Sequence, residues 1–374
     1  MEVRPISVFN LKEDAALIDK MLVSCVLLLS LWGIACIYSA GAGTLVNGWD
    51  LCLRQAGWLL ISCFVVLIVL AVGHGVLLDA AYYLFLITLI ILLITPLIAP
   101  KVKGAHSWIA IAGFRIQPSE FAKITLILAL AKFLSRCPPF NFKNFLAGLG
   151  VVLVPVLLVM LQPDAGSALV YLIIAFGMLF AAGTPLIYLG SLIGSGLAAL
   201  PFLIMFVLKD YQRNRLLVFI DPMRDPLGAG YNVIQSRIAV GSGGFWGKGF
   251  MNGMQSKLRF LPEPHTDFIF SVCSEEFGFI GALILLILFL FLFYRIINAG
   301  INSRDRRCKI LTAGIATWIW AQMFESIGMS IGLMPVTGLP LPFLSYGGSS
   351  LLSVSIAIGL AISVHIESLK RPYF

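Results

Sequence analysis

Long apolar runs, broken by short polar hinges, dominate the chain, and few segments alternate with a period of two. A helix needs about 20 mostly apolar residues to cross a bilayer, whereas a barrel strand needs about 9–11 alternating ones. The runs therefore read as about ten membrane-length helices. Their approximate positions are 17–40, 55–73, 76–98, 118–134, 145–161, 165–182, 185–207, 268–293, 310–334 and 343–366. The expected fold class is all-α, a polytopic membrane protein forming one membrane domain over 1–374. A large extracytoplasmic loop, about 208–267, separates the seventh and eighth spans. The fifth to seventh spans are divided only by QPD and GTP, so their edges are the least defined. No solenoid, heptad or inverted repeat is visible.

An even number of spans puts both termini on one side. Cytoplasmic loops are enriched in Lys and Arg. The stretch 294–309 carries Arg295, Arg304, Arg306, Arg307 and Lys309; Lys132, Arg136 and Lys143 flank 135–144; Lys370 and Arg371 close the chain. Both termini are thus expected in the cytoplasm, and 41–54, 99–117, 208–267 and 335–342 outside. The outer side is nevertheless basic too. Lys101, Lys103 and Arg115 lie in one outer loop, and Arg213 and Arg215 are among eight cations of the long one. Cations gathered there suit an anionic head group such as phosphate, although solvated ion pairs would give the same pattern.

Composition agrees with a membrane chain: 59% of the 374 residues are hydrophobic and 12% charged, against about 25% charged in soluble domains. The net charge of +8 bears on topology and anionic lipid before nucleic acid, for which neither a basic helix nor a zinc pattern speaks. Seven cysteines sit mostly in or beside apolar runs without a CxxC, and the histidines are scattered. No disulfide framework or metal cluster is expected. The first apolar run lacks a cleavage-site pattern and reads as a retained helix.

Several polar motifs interrupt the apolar background. QPSEFAK opens the fourth span; Glu120 and Lys123, three apart, share a helix face, and an ionisable pair inside a span is costly unless it packs against a partner or a cavity. QPDAGSA offers Asp164 as an N-cap or as a site residue. The glycine-rich stretch 241–249 lacks the phosphate-loop pattern, and its glycines suit tight turns and close backbone approach. Residues 211–250 alternate basic and apolar positions, as amphipathic helix on a membrane surface would. MPVTGLPLPFLSYGGSS breaks the helix ahead of the last span; Ser345 and Tyr346 add hydroxyls to what is either a packing turn or a cavity wall. In LPEPHTDFIF, Asp267 stands where polar loop gives way to apolar helix. It either caps that helix or serves as a general base, since a carboxylate in a partly dehydrated site gains basicity.

Taken together, WIAIAGFRIQPSEFAK, QPDAGSA, DYQRNR, DPLGAGYNVIQSRIAVGSGGFWGKG, NGMQSKLRFLPEPHTDFIF and PVTGLPLPFLSYGGSS resemble the SEDS family (shape, elongation, division and sporulation) over nearly the whole chain. DPLGAGY and NGMQSKLRFLPE look more like its elongation branch than its division branch. The resemblance implies a peptidoglycan glycosyltransferase of the cytoplasmic membrane that joins lipid II units outside the bilayer. It also implies a class B penicillin-binding protein, a transpeptidase, and other elongation-complex membrane proteins as partners. Asp267 takes the place of the family's catalytic acid. Arg115, Glu120 and Lys123 take the place of cavity-lining residues, with Asp164, Lys101, Lys103, Arg213, Arg215, His265, Ser345 and Tyr346 as further substrate-binding candidates. No protein metal site is expected; a divalent cation, Mg²⁺ or Mn²⁺, stays open, as do a lipid II flippase and a non-catalytic scaffold for a transpeptidase. The chain departs from the pattern at QMFESIGM, where Glu325 and Ser326 replace an apolar residue and an asparagine.

Overall fold

The computed structural model describes residues 14–41, 47–100, 106–111, 114–207, 210–226 and 228–370. Every predicted span meets a helix: α1 (Lys20–Gly41), α2 (Gly48–Val72), α3 (Ala81–Ile98), α4 (Pro118–Arg136), α5 (Phe142–Leu161), α6 (Ala165–Ala181), α7 (Leu186–Phe202), and, beyond the long loop, α10 (Ile269–Ile301), α11 (Arg306–Ile331) and α12 (Gly348–Lys370). Within that loop lie α8 (Asp210–Ile220) and α9 (Ala229–Ser242). A two-stranded antiparallel hairpin, β1 (Ile109–Ile111) and β2 (Phe114–Ile116), precedes α4.

Among the described residues, seven helices are long and apolar enough to cross a membrane, which makes the chain a multi-pass membrane protein. The three remaining bundle helices differ for visible reasons. α6 has 17 residues; α4 carries Glu120, Lys123 and Lys132, and α11 carries Arg307, Lys309 and Glu325, charges that lower their hydropathy. Glu120, Lys123, Lys132 and Glu325 are buried, and Arg307 and Lys309 are half-buried near the start of α11. A helix with intramembrane charges must turn them towards protein, and α4 and α11 do so, packing against each other and against α6 and α12. α7 is the outlier, lying at the edge with most of its large apolar side chains exposed.

Some helix ends differ from the sequence expectation. α2 starts at Gly48, where Asn47 accepts a hydrogen bond from the Trp49 N–H at 3.2 Å. α10 continues to Ile301, and α11 already starts at Arg306 with Asp305 as N-cap. The expected loop 294–309 therefore shrinks to four residues. Its cations instead fasten helix ends: Arg295 lies 2.6 Å from Asp19, and Arg307 bridges Asp305 at 2.8 Å and Asp79 at 3.1 Å. Lys370 pairs with Asp14 at the same end. α9 does not simply lie on a surface. It packs on α10 and α11, where buried Ser236 donates to the Ser330 carbonyl at 2.7 Å.

The glycine-rich stretch has a specific task. α10 is broken at Gly278 (φ 66°, ψ −162°). A break at membrane depth leaves backbone groups that lipid cannot satisfy. Residues 243–249 supply them: Lys248 and Gly249 N–H groups donate to the Glu275 and Glu276 carbonyls at 3.0 Å each, and Phe279 N–H donates to the Gly244 carbonyl at 2.9 Å. The approach is so close that a Cβ on Gly247 (φ 81°) would stand 2.1 Å from the Glu276 carbonyl oxygen. Close approach is thus what these glycines provide. Gly247→Ala is expected to lower the thermal midpoint of the purified protein, with a cost above the roughly 1–3 kcal/mol of a strained backbone alone. An unchanged midpoint would show that the strap yields.

Candidate active site

The two aspartates that looked like helix caps have different fates. Asp164 does cap α6: its carboxylate accepts from the Ser167 N–H at 3.0 Å and the Ser167 hydroxyl at 2.7 Å. It also accepts from the Gln117 amide at 3.1 Å, which ties α6 to the residue before α4. Asp267 does not cap. α10 begins at Ile269 after Phe268, with no side-chain cap bond. Asp267 sits half-buried on the connection before it, and its Oδ2 lies 3.4 Å from where a Cβ on Gly338 would stand. Its carboxylate therefore abuts the proline-rich loop between α11 and α12.

Two segments hold this connection in place. Ser345, 5% exposed, donates its hydroxyl to the Thr266 carbonyl at 2.6 Å and accepts from the Leu341 N–H at 2.8 Å. Tyr346 N–H donates to the His265 carbonyl at 2.9 Å, and the two rings meet edge to face at 5.8 Å. Gln55 of α2 donates to the Ser345 carbonyl at 3.3 Å and accepts from the Gly347 N–H at 3.3 Å. Ser345 thus fixes the loop with its hydroxyl engaged on both sides.

Behind the same loop lies a buried charge cluster. Lys123 Nζ is 2.6 Å from Glu120 Oε1, with side chains 0% and 1% exposed. Ser353 of α12 donates to the other Glu120 oxygen at 3.3 Å, and the Lys123 ammonium lies 5.3 Å from the Trp318 ring centroid. Two charges removed from water are stable only with good geometry and further hydrogen bonds, and the pair has both. Glu325, 3% exposed, lies beside Thr337 and within electrostatic range of Lys123 and Asp164. Thr337 and Gly338 are adjacent, so one loop touches the buried cluster and Asp267 together.

The cations expected on the outer side divide. Arg215 on α8 donates to the Val336 carbonyl at 3.2 Å, which brings it to this loop. Arg115 is exposed on β2, while its carbonyl accepts from Ser349 at 3.4 Å. Arg213 is exposed on α8. Lys101 and Lys103 lie outside the described residues. Lys123 is enclosed by Glu120 and protein here, so among the candidates with a described contact Arg215 is the cation that reaches the Asp267 loop. Gln117, Gln55, Ser349 and Ser353 were not singled out from the sequence; the i, i+4 spacing of Ser349 and Ser353 was the one signal that they share a face.

One group of side chains among the described residues has ligand atoms close enough to share a cation. His74, Cys308 and Glu367 have theirs within 4.8 Å of one another. They lie among the helix ends away from Asp267, and His74 Nε2 stands 2.6 Å from Glu367 Oε2. At the Asp267 end, Glu120 is engaged by Lys123 and Ser353.

The fold and sequence have relatives. The family profile described as a cell cycle protein, covering FtsW, RodA and SpoVE, matches residues 19–370. Peptidoglycan glycosyltransferase MrdB of Escherichia coli K12 is 38% identical over 333 residues, 88% of this chain and 90% of MrdB. The probable peptidoglycan glycosyltransferase FtsW of Trichlorobacter lovleyi is 37% identical over 356 residues, 92% of each chain. A chain of a peptidoglycan synthase complex that coordinates polymerization and crosslinking superposes with a TM-score of 0.81 at 33% identity, over 94% of this chain and 98% of that one. The rod shape determining protein RodA of Thermus thermophilus gives 0.71 at 28% identity, over 96% and 98%. The match runs from the first helix to the last, and the chain belongs to the FtsW/RodA/SpoVE family.

Proposed function

We propose that this chain is a peptidoglycan glycosyltransferase of cell elongation. It transfers the lipid-linked glycan onto the 4-hydroxyl of the N-acetylglucosamine of lipid II and releases undecaprenyl pyrophosphate. The names borne by its relatives support this reaction. The observation that carries the site is the half-buried Asp267, which is not the N-cap of α10, laid against a loop whose Thr337 also meets the buried Glu325. The chain forms one membrane domain with ten spans in the cytoplasmic membrane. Both termini are cytoplasmic, and Asp267 and the loop 208–267 are extracytoplasmic. The positive-inside pattern supports this orientation.

The chemistry follows from what the reaction needs. The attacking hydroxyl loses its proton as it meets the anomeric carbon, so an acceptor must stand within hydrogen-bond reach. Asp267 is that base. An α-linked donor and a β-linked product require attack on the face opposite the leaving group. The diphosphate leaves with growing negative charge, which cations stabilise most in the transition state. Arg215 is the first such cation, and Arg115 and Arg213 flank it. Lys123 works from behind, held by Glu120, and fixes α4 beneath the site. Asp164 and Ser345 hold the walls, and His265 and Tyr346 set the connection that carries Asp267. A class B penicillin-binding protein is the partner that crosslinks the product; a related chain belongs to a peptidoglycan synthase complex that coordinates polymerization and crosslinking.

Purified protein given lipid II in detergent tests the reading. Glycan polymer and undecaprenyl pyrophosphate are the expected products. A protein that only moves lipid II between leaflets, or only scaffolds a transpeptidase, yields neither.

A further inference from the structure

Glu325 is a buried acid to which the mechanism above gives no task. Glu325 is 3% exposed, and neither carboxylate oxygen has a hydrogen-bond partner. The Thr337 hydroxyl lies beside it and is also without one. An acceptor and a donor buried side by side, both unmet, form a complementary pair. The neighbouring acids are already engaged. Asp164 is occupied by Ser167 and Gln117, Glu120 by Lys123 and Ser353, and a Cβ on Gly166 would stand 3.1 Å from the Thr337 Cβ, which walls off the α6 side.

The position of Thr337 gives the pair leverage. Consecutive Cα atoms are fixed about 3.8 Å apart, so wherever Thr337 is held, Gly338 follows, and Gly338 is what abuts Asp267. On the other side of Thr337, Arg215 grips the Val336 carbonyl at 3.2 Å. Pro335 and Pro340 stiffen the flanks.

We propose that Glu325 is a positioning residue: its carboxylate accepts the Thr337 hydroxyl, and this bond between α11 and the loop sets where Gly338 meets Asp267. The proposal rests on Asp267 being the reacting acid. It makes Glu325 act through Thr337, by accepting a hydrogen bond rather than by its charge towards Lys123.

The test uses Glu325→Leu, Thr337→Val and the double variant, with Glu325→Gln and Thr337→Ser keeping an acceptor and a hydroxyl respectively. Two readouts are taken on detergent-purified full chain: amide hydrogen exchange of Gly338 and Leu339, and kcat and KM on lipid II. Each disruptive single variant is expected to speed exchange and to lower kcat roughly 10–100-fold, the scale of a small misplacement at a reacting centre, with KM nearly unchanged. The double variant should be no worse than the poorer single one, because both remove the same bond. Glu325→Gln and Thr337→Ser should retain most of the rate. The proposal is overturned if the double variant multiplies the single losses, if Glu325→Gln is as damaging as Glu325→Leu, or if exchange does not change. Should Glu325→Leu not fold, Thr337→Val against Thr337→Ser, with Glu325→Gln, decides the matter. Exchange is read without substrate, so a wild-type chain that makes no glycan removes the glycosyltransferase reading while the bond is still judged by the exchange pattern.

Discussion

Asp267→Asn lowers polymerisation of lipid II by about 10²–10⁴-fold, the usual cost of losing a general base, while expression and thermal midpoint stay close to wild type. The contrast between the two readouts follows from the structure. Asp267 is not the N-cap of α10, a place taken by Phe268. Its neighbours on the connection are fastened by Ser345 and Tyr346, whose bonds to Thr266 and His265 run through backbone carbonyls and survive the substitution. The asparagine keeps the shape and loses the charge and the basic oxygen. Near-normal turnover by a well-folded Asp267→Asn protein would remove the residue from the base role. Asp164→Asn, in comparison, keeps a capping side chain and should change the rate far less.

The second large effect falls on stability. Removing either Glu120 or Lys123 leaves its partner buried with an uncompensated charge, which costs about 3–5 kcal/mol. Glu120→Ala and Lys123→Met should each lower the thermal midpoint of the detergent-solubilised protein sharply. Glu120→Gln combined with Lys123→Met removes both charges and should recover most of the loss, since a neutral pair of similar volume is often no less stable than the buried ions it replaces. A double variant as unstable as the single ones would mean that the pair is kept for hydrogen bonding to Ser353 and the packing of Trp318, not for charge balance.

Much of the fold was legible in the sequence because membrane helices announce themselves by length and hydropathy. The edges were less so. α2 begins seven residues before the expected position because Asp50 and Arg54 disguise its first turns. α10 and α11 close the loop expected in the cytoplasm because cations that mark a loop can equally sit on helix ends. The site was legible in part. Glu120 and Lys123 pair as their spacing on one helix face implied. Asp164 and Asp267, by contrast, look alike in sequence, each following a proline-containing turn and preceding an apolar run. Only the backbone separates the cap from the uncapped acid. The surroundings of Glu325 were invisible, because its neighbours on α4, α6 and the Thr337 loop are far away along the chain. The glycines at 243–249 were read correctly for backbone approach, yet nothing local said that the approach is to a broken helix.

That break has a mechanical consequence. Between Gly278 and the outer end, α10 is a separate lever of about three turns, and its own ladder no longer orients it. The hydrogen bonds of the 243–249 strap, together with the Glu275 carboxylate that receives Lys248 at 2.7 Å and the Met254 N–H at 2.9 Å, set its angle instead. In the proposed orientation and chemistry, the acid at the tip of that lever is steered from the extracytoplasmic polypeptide, and whatever grips or loosens that strap re-aims its carboxylate without touching the membrane bundle.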